Sequence, residues 1–252
     1  MMTPYEPPIE PLSGNWNEDK AKIFKLAQTP TSAQEFPTLV QSVHALFRAL
    51  APAAVSPLGI EQRVGLSRKI HNELYPLGHF AELHFAASAE VQITWHDGSQ
   101  SFDATVEDRR AELEFSSKFL EITTLQDKED ADQLDALNPT GIVSFSSSEH
   151  PVLADHRRKV GLLRSVLEKK AKITYPAGTA LLVYTDEFRF KSFTVGAPAP
   201  VIDQPHDYGE VLDEMKSSLG GFDAVYVFSK QAIYCTLSGG EVFVEREEPD
   251  PA

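Results

Sequence analysis

The chain has 252 residues, of which 42% are hydrophobic and 24% charged, so it is long enough to bury a substantial core as one large or two small domains. Its net charge of −14 weighs against tight, non-specific gripping of duplex through the overall field, though it leaves room for a local basic groove or an acidic metal site. One cysteine, Cys235, excludes an intramolecular disulfide and a cysteine-based zinc cluster, and no apolar run reaches the roughly 18–20 residues of a membrane span.

Residues 1–18, rich in Pro and polar side chains, show no basic segment followed by an apolar one. The expectation is a loose arm, taken to residue 33, with no secretory signal and a cytoplasmic location. Residues 34–50 place Leu39, Val40, Val43, Leu46, Phe47 and Leu50 at helical spacing. A second helix is expected over 60–75, with Ile60, Val64, Ile70 and Leu74 on one side, and with Pro76 and Gly78 ending it.

The period then changes to two. Val91, Ile93 and Trp95 alternate with polar residues, Asp97-Gly98 signals a hairpin, and Phe102, Ala104 and Val106 mark the return strand. Leu120 and Ile122 mark a third strand, followed by a polar, acidic loop and a short strand over 142–146. A long helix is expected over 155–175, with Val160, Leu163, Val166, Leu167 and Ala171 as its apolar stripe. The run ALLVY (180–184) and the run FDAVYVFS (222–229) read as strands covered on both faces, with a short helix near 207–219 between them. QAIYCTL and EVFVE form a closing hairpin before an acidic tail, 247–252. The whole reads as one α/β domain over 34–246, a mixed central sheet flanked by helices and preceded by a helical segment.

Two of the strands carry a single acid each: Asp103 in SFDATV and Glu121 in FLEITT. Alternate residues of a strand share a face, so if these strands pair, the two carboxylates can stand on one side with Cβ atoms about 5 Å apart. At that distance they repel, and a Mg²⁺ ion between them removes the repulsion, oxygen ligands being what Mg²⁺ prefers. The plainer reading is a half-exposed antiparallel sheet with its polar residues outward.

From about Glu61 to Leu237 the succession of elements resembles the restriction-endonuclease-like, or PD-(D/E)xK, nuclease superfamily. That family has a helix, a β-hairpin whose second strand bears an Asp, a third strand bearing Glu-x-Lys, then a helix and a buried strand. The resemblance implies a restriction-endonuclease-like core and metal-dependent hydrolysis of phosphodiester bonds in nucleic acid, DNA foremost. It makes Asp103 and Glu121 the pair that binds Mg²⁺ or Mn²⁺, with the Ile122 backbone carbonyl as a further oxygen donor, and adds an acid from the first core helix, Glu73 rather than Glu61. Where the family has its motif lysine this chain has Thr123. In some family members the lysine moves to the following helix. Here Lys170 falls four residues after Val166 and seven after Leu163, near the sheet-facing side, with Lys169 and then Lys172 as further candidates. The basic run Arg157, Arg158, Lys159 and Arg164 is a candidate for steering phosphate or a solvated helix face. The alternative is a catalytically inactive relative that binds or scaffolds a protein partner. His79 and His84 lack a third ligand in motif spacing and read as ordinary residues, and Cys235 as a buried structural thiol.

Overall fold

A computed structural model of the chain describes residues 7, 9–50, 69–86, 88–111, 115–126, 151–186 and 201–245. The alternating and continuous apolar runs pair into one eight-stranded sheet whose spatial order follows the chain: β1 (Thr31–Ser32), β2 (Val91–Trp95), β3 (Ala104–Asp108), β4 (Phe119–Thr124), β5 (Thr179–Tyr184), β6 (Ala224–Phe228), β7 (Ile233–Ser238) and β8 (Glu241–Val244). β4, β5 and β6 run parallel to one another, and every other neighbouring pair is antiparallel. The two parallel joins need crossovers, and helices supply them: α4 (Pro151–Lys170) lies between β4 and β5, and α5 (Gln204–Met215) between β5 and β6. The protein is therefore an α/β fold with a mixed sheet.

Two cores lie on opposite faces of the sheet. β5 shows why its sequence is a continuous apolar run: Ala180, Leu182 and Tyr184 enter one core, Leu181 and Val183 the other. The first core is closed by α1 (Trp16–Ala27), α2 (Phe36–Leu50) and α3 (Tyr75–Phe85), through Ile23, Leu39, Val43, Leu77 and Phe80 among others. The second is closed by Leu163 and Leu167 of α4 and by Tyr208, Val211 and Leu212 of α5. Each side chain of this kind contributes roughly 1.5–3 kcal/mol when fully buried.

Several expectations need correction. Residues 16–33, assigned to a loose arm, form α1 and β1 and belong to the first core. The Asn15 side chain caps α1 by accepting from the Asn17 amide, and the fully buried Asp19 accepts from the Ser13 and Gly14 amides at 2.8 Å each. The Pro-rich composition upstream hid the short apolar run Ile23, Leu26, Ala27. The helix expected to stop at Pro76 and Gly78 instead continues to Phe85, with Pro76 in the first turn of α3 directly after a π-turn. Gly78 is buried there because a Cβ at its position would approach three Val40 side-chain atoms to 3.1–3.3 Å. Ahead of α3, residues Ile70–Leu74 form a π-turn closed by the Tyr75 amide on the Ile70 carbonyl. Asp97-Gly98 lies, as expected, in the loop (96–103) of an antiparallel β2–β3 hairpin, but Asp103 is the residue just before β3 rather than inside it. The strand expected over 142–146, Glu61 and residues 60–68 lie outside the described residues.

Candidate active site

β3 and β4 pair with Ala104 opposite Leu120, which brings Asp103, one residue earlier, beside Glu121. The backbone of Asp103 continues the ladder: its amide donates to the Leu120 carbonyl at 2.8 Å, and its carbonyl accepts from the His96 amide at 2.8 Å. Its carboxylate then accepts from the Ile122 amide at 2.7 Å, replacing the strand carbonyl that would come next. Burial is the largest influence on this carboxyl and pushes it up, to about 7. Glu121 adds to the rise and Glu73 contributes further, while the Ile122 amide and the Lys170 ammonium oppose it without winning.

Glu121 alternates with the core residues Leu120 and Ile122 and so points to the α4 side of the sheet. Its side chain is only 12% exposed, and the ammonium of Lys170, at the end of α4, is paired with it directly. The Tyr175 hydroxyl also donates to Glu121, at 3.4 Å, and burial together with the Glu121 charge pushes that phenol well above its ordinary value. Lysines near a helix C-terminus are favoured there in any case, but this one is held inward by a carboxylate rather than extended to solvent. Lys169 and Lys172, the other lysine candidates, are exposed.

The third acid, Glu73, comes from the π-turn. Burial pushes its carboxyl up, the nearby Lys69 charge and the Trp95 indole N–H (3.3 Å) pull it down, and Asp97 and Glu121 add repulsion. π-turns recur at functional sites because they re-aim a side chain out of the regular helical progression. This one also leaves the buried Asn72 Oδ1 without a hydrogen-bond partner. Lys69, one turn before Glu73, pairs with Asp97 of the β2–β3 loop, and the Glu73 and Asp103 charges also hold its proton on.

Asp103, Glu121, Glu73 and Lys170, drawn from four separate stretches of sequence, thus meet in one place. Ile122 is part of it too, but the group the structure shows at work is its N–H on Asp103, not a carbonyl. Thr123 lies two residues past Glu121 on the same face, half-buried and uncharged. Lys69, Trp95 and Tyr175 are site residues that sequence reasoning missed; only the four-residue spacing of Lys69 and Glu73 gave any signal. The basic run does not act as a free cluster. Lys159 is buried with its ammonium on the Leu125 carbonyl at 2.6 Å, Arg158 pairs with Asp155, and Arg164 pairs with Glu214.

The donor chemistry fits a small divalent cation held by Asp103 and Glu121, with waters completing its shell, as Mg²⁺ prefers. A cation there would offset both the burial and the Glu121 repulsion that push the Asp103 carboxyl up. It would also have to displace or share the Lys170 contact. Among the described residues, the one group of three metal-ligating atoms all within 4.8 Å of one another is elsewhere: His206, Asp207 and Glu210, on the surface of α5. Glu73 therefore stands back from a common first shell with the other two acids.

The remaining candidates are structural. His79 packs against the rings of Tyr75 and Tyr184, and burial pushes its imidazole down. His84 packs among Phe80, Phe85 and Tyr226. Cys235 is buried in β7, with its thiol pushed up to about 12. No helix among the described residues is long and apolar enough to cross a membrane. No family model, no curated protein and no solved structure matches the chain.

Proposed function

We propose that the protein is a metal-dependent phosphodiesterase of the restriction-endonuclease-like kind, acting on nucleic acid, with DNA as the favoured substrate. The observation that carries this reading is the Asp103–Glu121 pair with Lys170 against it. Two acids packed side by side, one driven up to about pH 7, are costly to a fold unless a cation is to be held there. The order of elements around the pair supports the same reading: hairpin, acid-bearing strand, helix, buried parallel strand.

Asp103 and Glu121 would hold Mg²⁺ or Mn²⁺, with Ile122 fixing the orientation of Asp103 through its amide. Such an ion would supply a water of lowered pKa and offset charge on the scissile phosphate. Lys170, which sits against Glu121, would orient the attacking water and offset the charge growing on phosphate oxygens. Glu73, which accepts from the Trp95 indole N–H behind the pair and whose carboxyl burial pushes up, would be placed to relay a proton. Lys170 performs the task for which Thr123 has no charge.

A second reading, a nuclease fold that binds without cleaving, rests on Thr123 and on the net charge of −14. Hydrolysis of labelled single- and double-stranded DNA and RNA with Mn²⁺ separates the two. Cleavage by the wild type, lost in Asp103→Ala with Glu121→Ala and reduced in Lys170→Met, supports an active site. Binding of the same strands without metal-dependent cleavage supports the second reading.

A further inference from the structure

We infer that Lys69 is a second phosphate-contacting residue of this site, held in reserve by Asp97 until substrate arrives; the inference rests on the phosphodiesterase reading above. The carboxylates at the centre repel any polyanion, and the net charge of the chain does the same. A phosphodiester can approach only where cations stand at the rim. Two lysines do so from different elements: Lys170 from α4 and Lys69 from the start of the π-turn. They share one arrangement. Each is paired with a single carboxylate, and each remains partly exposed, Lys170 at 20% and Lys69 at 41%.

Lys69 is placed to act on the site rather than on the distant surface. It precedes Glu73 by four residues, so the two side chains leave the helix on neighbouring azimuths. Its charge pulls down the Glu73 carboxyl, and the Asp103 charge helps hold the lysine's own proton on. Asp97, its partner, lies in the 96–103 loop that delivers Asp103, so the lysine bridges the two segments that build the site. A partly exposed pair of this kind adds little stability, so its ammonium is exchanged for a phosphate oxygen at small cost. Cationic hydrogen bonds to phosphate are among the stronger ones a protein makes.

The test uses the full chain with Lys69→Met, Asp97→Asn and the double variant. Affinity for a short labelled DNA duplex is read by anisotropy in Ca²⁺ across a range of salt, and KM and kcat are read in Mn²⁺. Both single variants lose the same ion pair, so any shared loss of folding cancels between them. Lys69→Met is expected to weaken binding roughly ten-fold, the low end for a hydrogen bond to a charged group, and to raise KM more than it lowers kcat. It should also reduce the salt slope by about one phosphate contact. Asp97→Asn frees the lysine and should tighten binding, and that gain should vanish in the double variant. Equal shifts in the two single variants, or a gain from Asp97→Asn that survives without Lys69, would reduce the residue to an ordinary ion pair and overturn the inference. Metal-dependent cleavage by the wild type would then still stand. A wild type that neither binds duplex nor cleaves it overturns the phosphodiesterase reading and the inference together.

Discussion

At the scale of single residues, Asp103 shows how a site is recognised by what it costs. Its carboxyl titrates at about 7 instead of the ordinary 3.8, so the folded state holds the proton more tightly than the unfolded chain does. That stabilisation is whole below about pH 4 and is lost as pH climbs through 7, amounting to roughly 4 kcal/mol at most. Metal-free protein should therefore fall in Tm from pH 5 to pH 8, and Asp103→Asn, which keeps an acceptor for the Ile122 amide, should lose less over that interval and be the more stable protein at pH 8. Thermal melts of both in chelator check this; parallel curves would show that Asp103 does not carry the shift. Lys170→Met makes the opposite trade. It removes the ammonium that competes for Glu121, so Mn²⁺ binding should be kept or tightened while hydrolysis falls on the order of 100-fold or more.

Elements explain what was legible and what was not. The strand pattern of Val91 to Trp95 and the continuous runs of β5 and β6 were readable because burial on one face or two leaves a direct mark on the sequence. The α4 stripe, with Leu163 and Leu167 at its centre, was readable for the same reason, and it placed Lys170 on the inward side. The π-turn was not readable, because a five-residue hydrogen-bonded turn has no residue signature of its own, and with it went the aim of Glu73 and the presence of Lys69. Trp95 and Tyr175 escaped because their polar atoms meet the acids only through tertiary contact. Helix α1 escaped because a single cap residue, Asn15, and a buried Asp19 decide it against a Pro-rich background. Two glycines test the packing of helices on the sheet. Gly161 in α4 has open space where a Cβ would go, so Gly161→Ala should raise stability by about 0.5–1 kcal/mol. A Cβ at Gly209 in α5 would come within 2.7 Å of Val244 on β8, so Gly209→Ala should cost about 1–3 kcal/mol. Denaturant midpoints of the two variants moving together would contradict this placement of α5 against the edge strand.

For the molecule as a whole, the sheet does two jobs at once. In its parallel centre β5 and β6 are buried on both faces, and its antiparallel flank of β2 and β3 carries Asp103 to the edge of that centre, next to β4. The first core positions the π-turn and Glu73, the second positions α4 and Lys170, and the site lies around the start of β3. In a chain of net charge −14, three acids and two paired lysines gather at one seam, and the proposed cation and phosphate chemistry rests on that grouping. The most direct measurement is Mn²⁺ titration by calorimetry at pH 6, in two buffers of different ionisation heat, on the wild type and on Asp103→Ala with Glu121→Ala. With Asp103 protonated at that pH, binding should release about one proton per ion, shrink in proton release by pH 8, and disappear in the double variant. Binding that survives the double variant, or none at millimolar metal in the wild type, would contradict the assignment of Asp103 and Glu121 as a metal site.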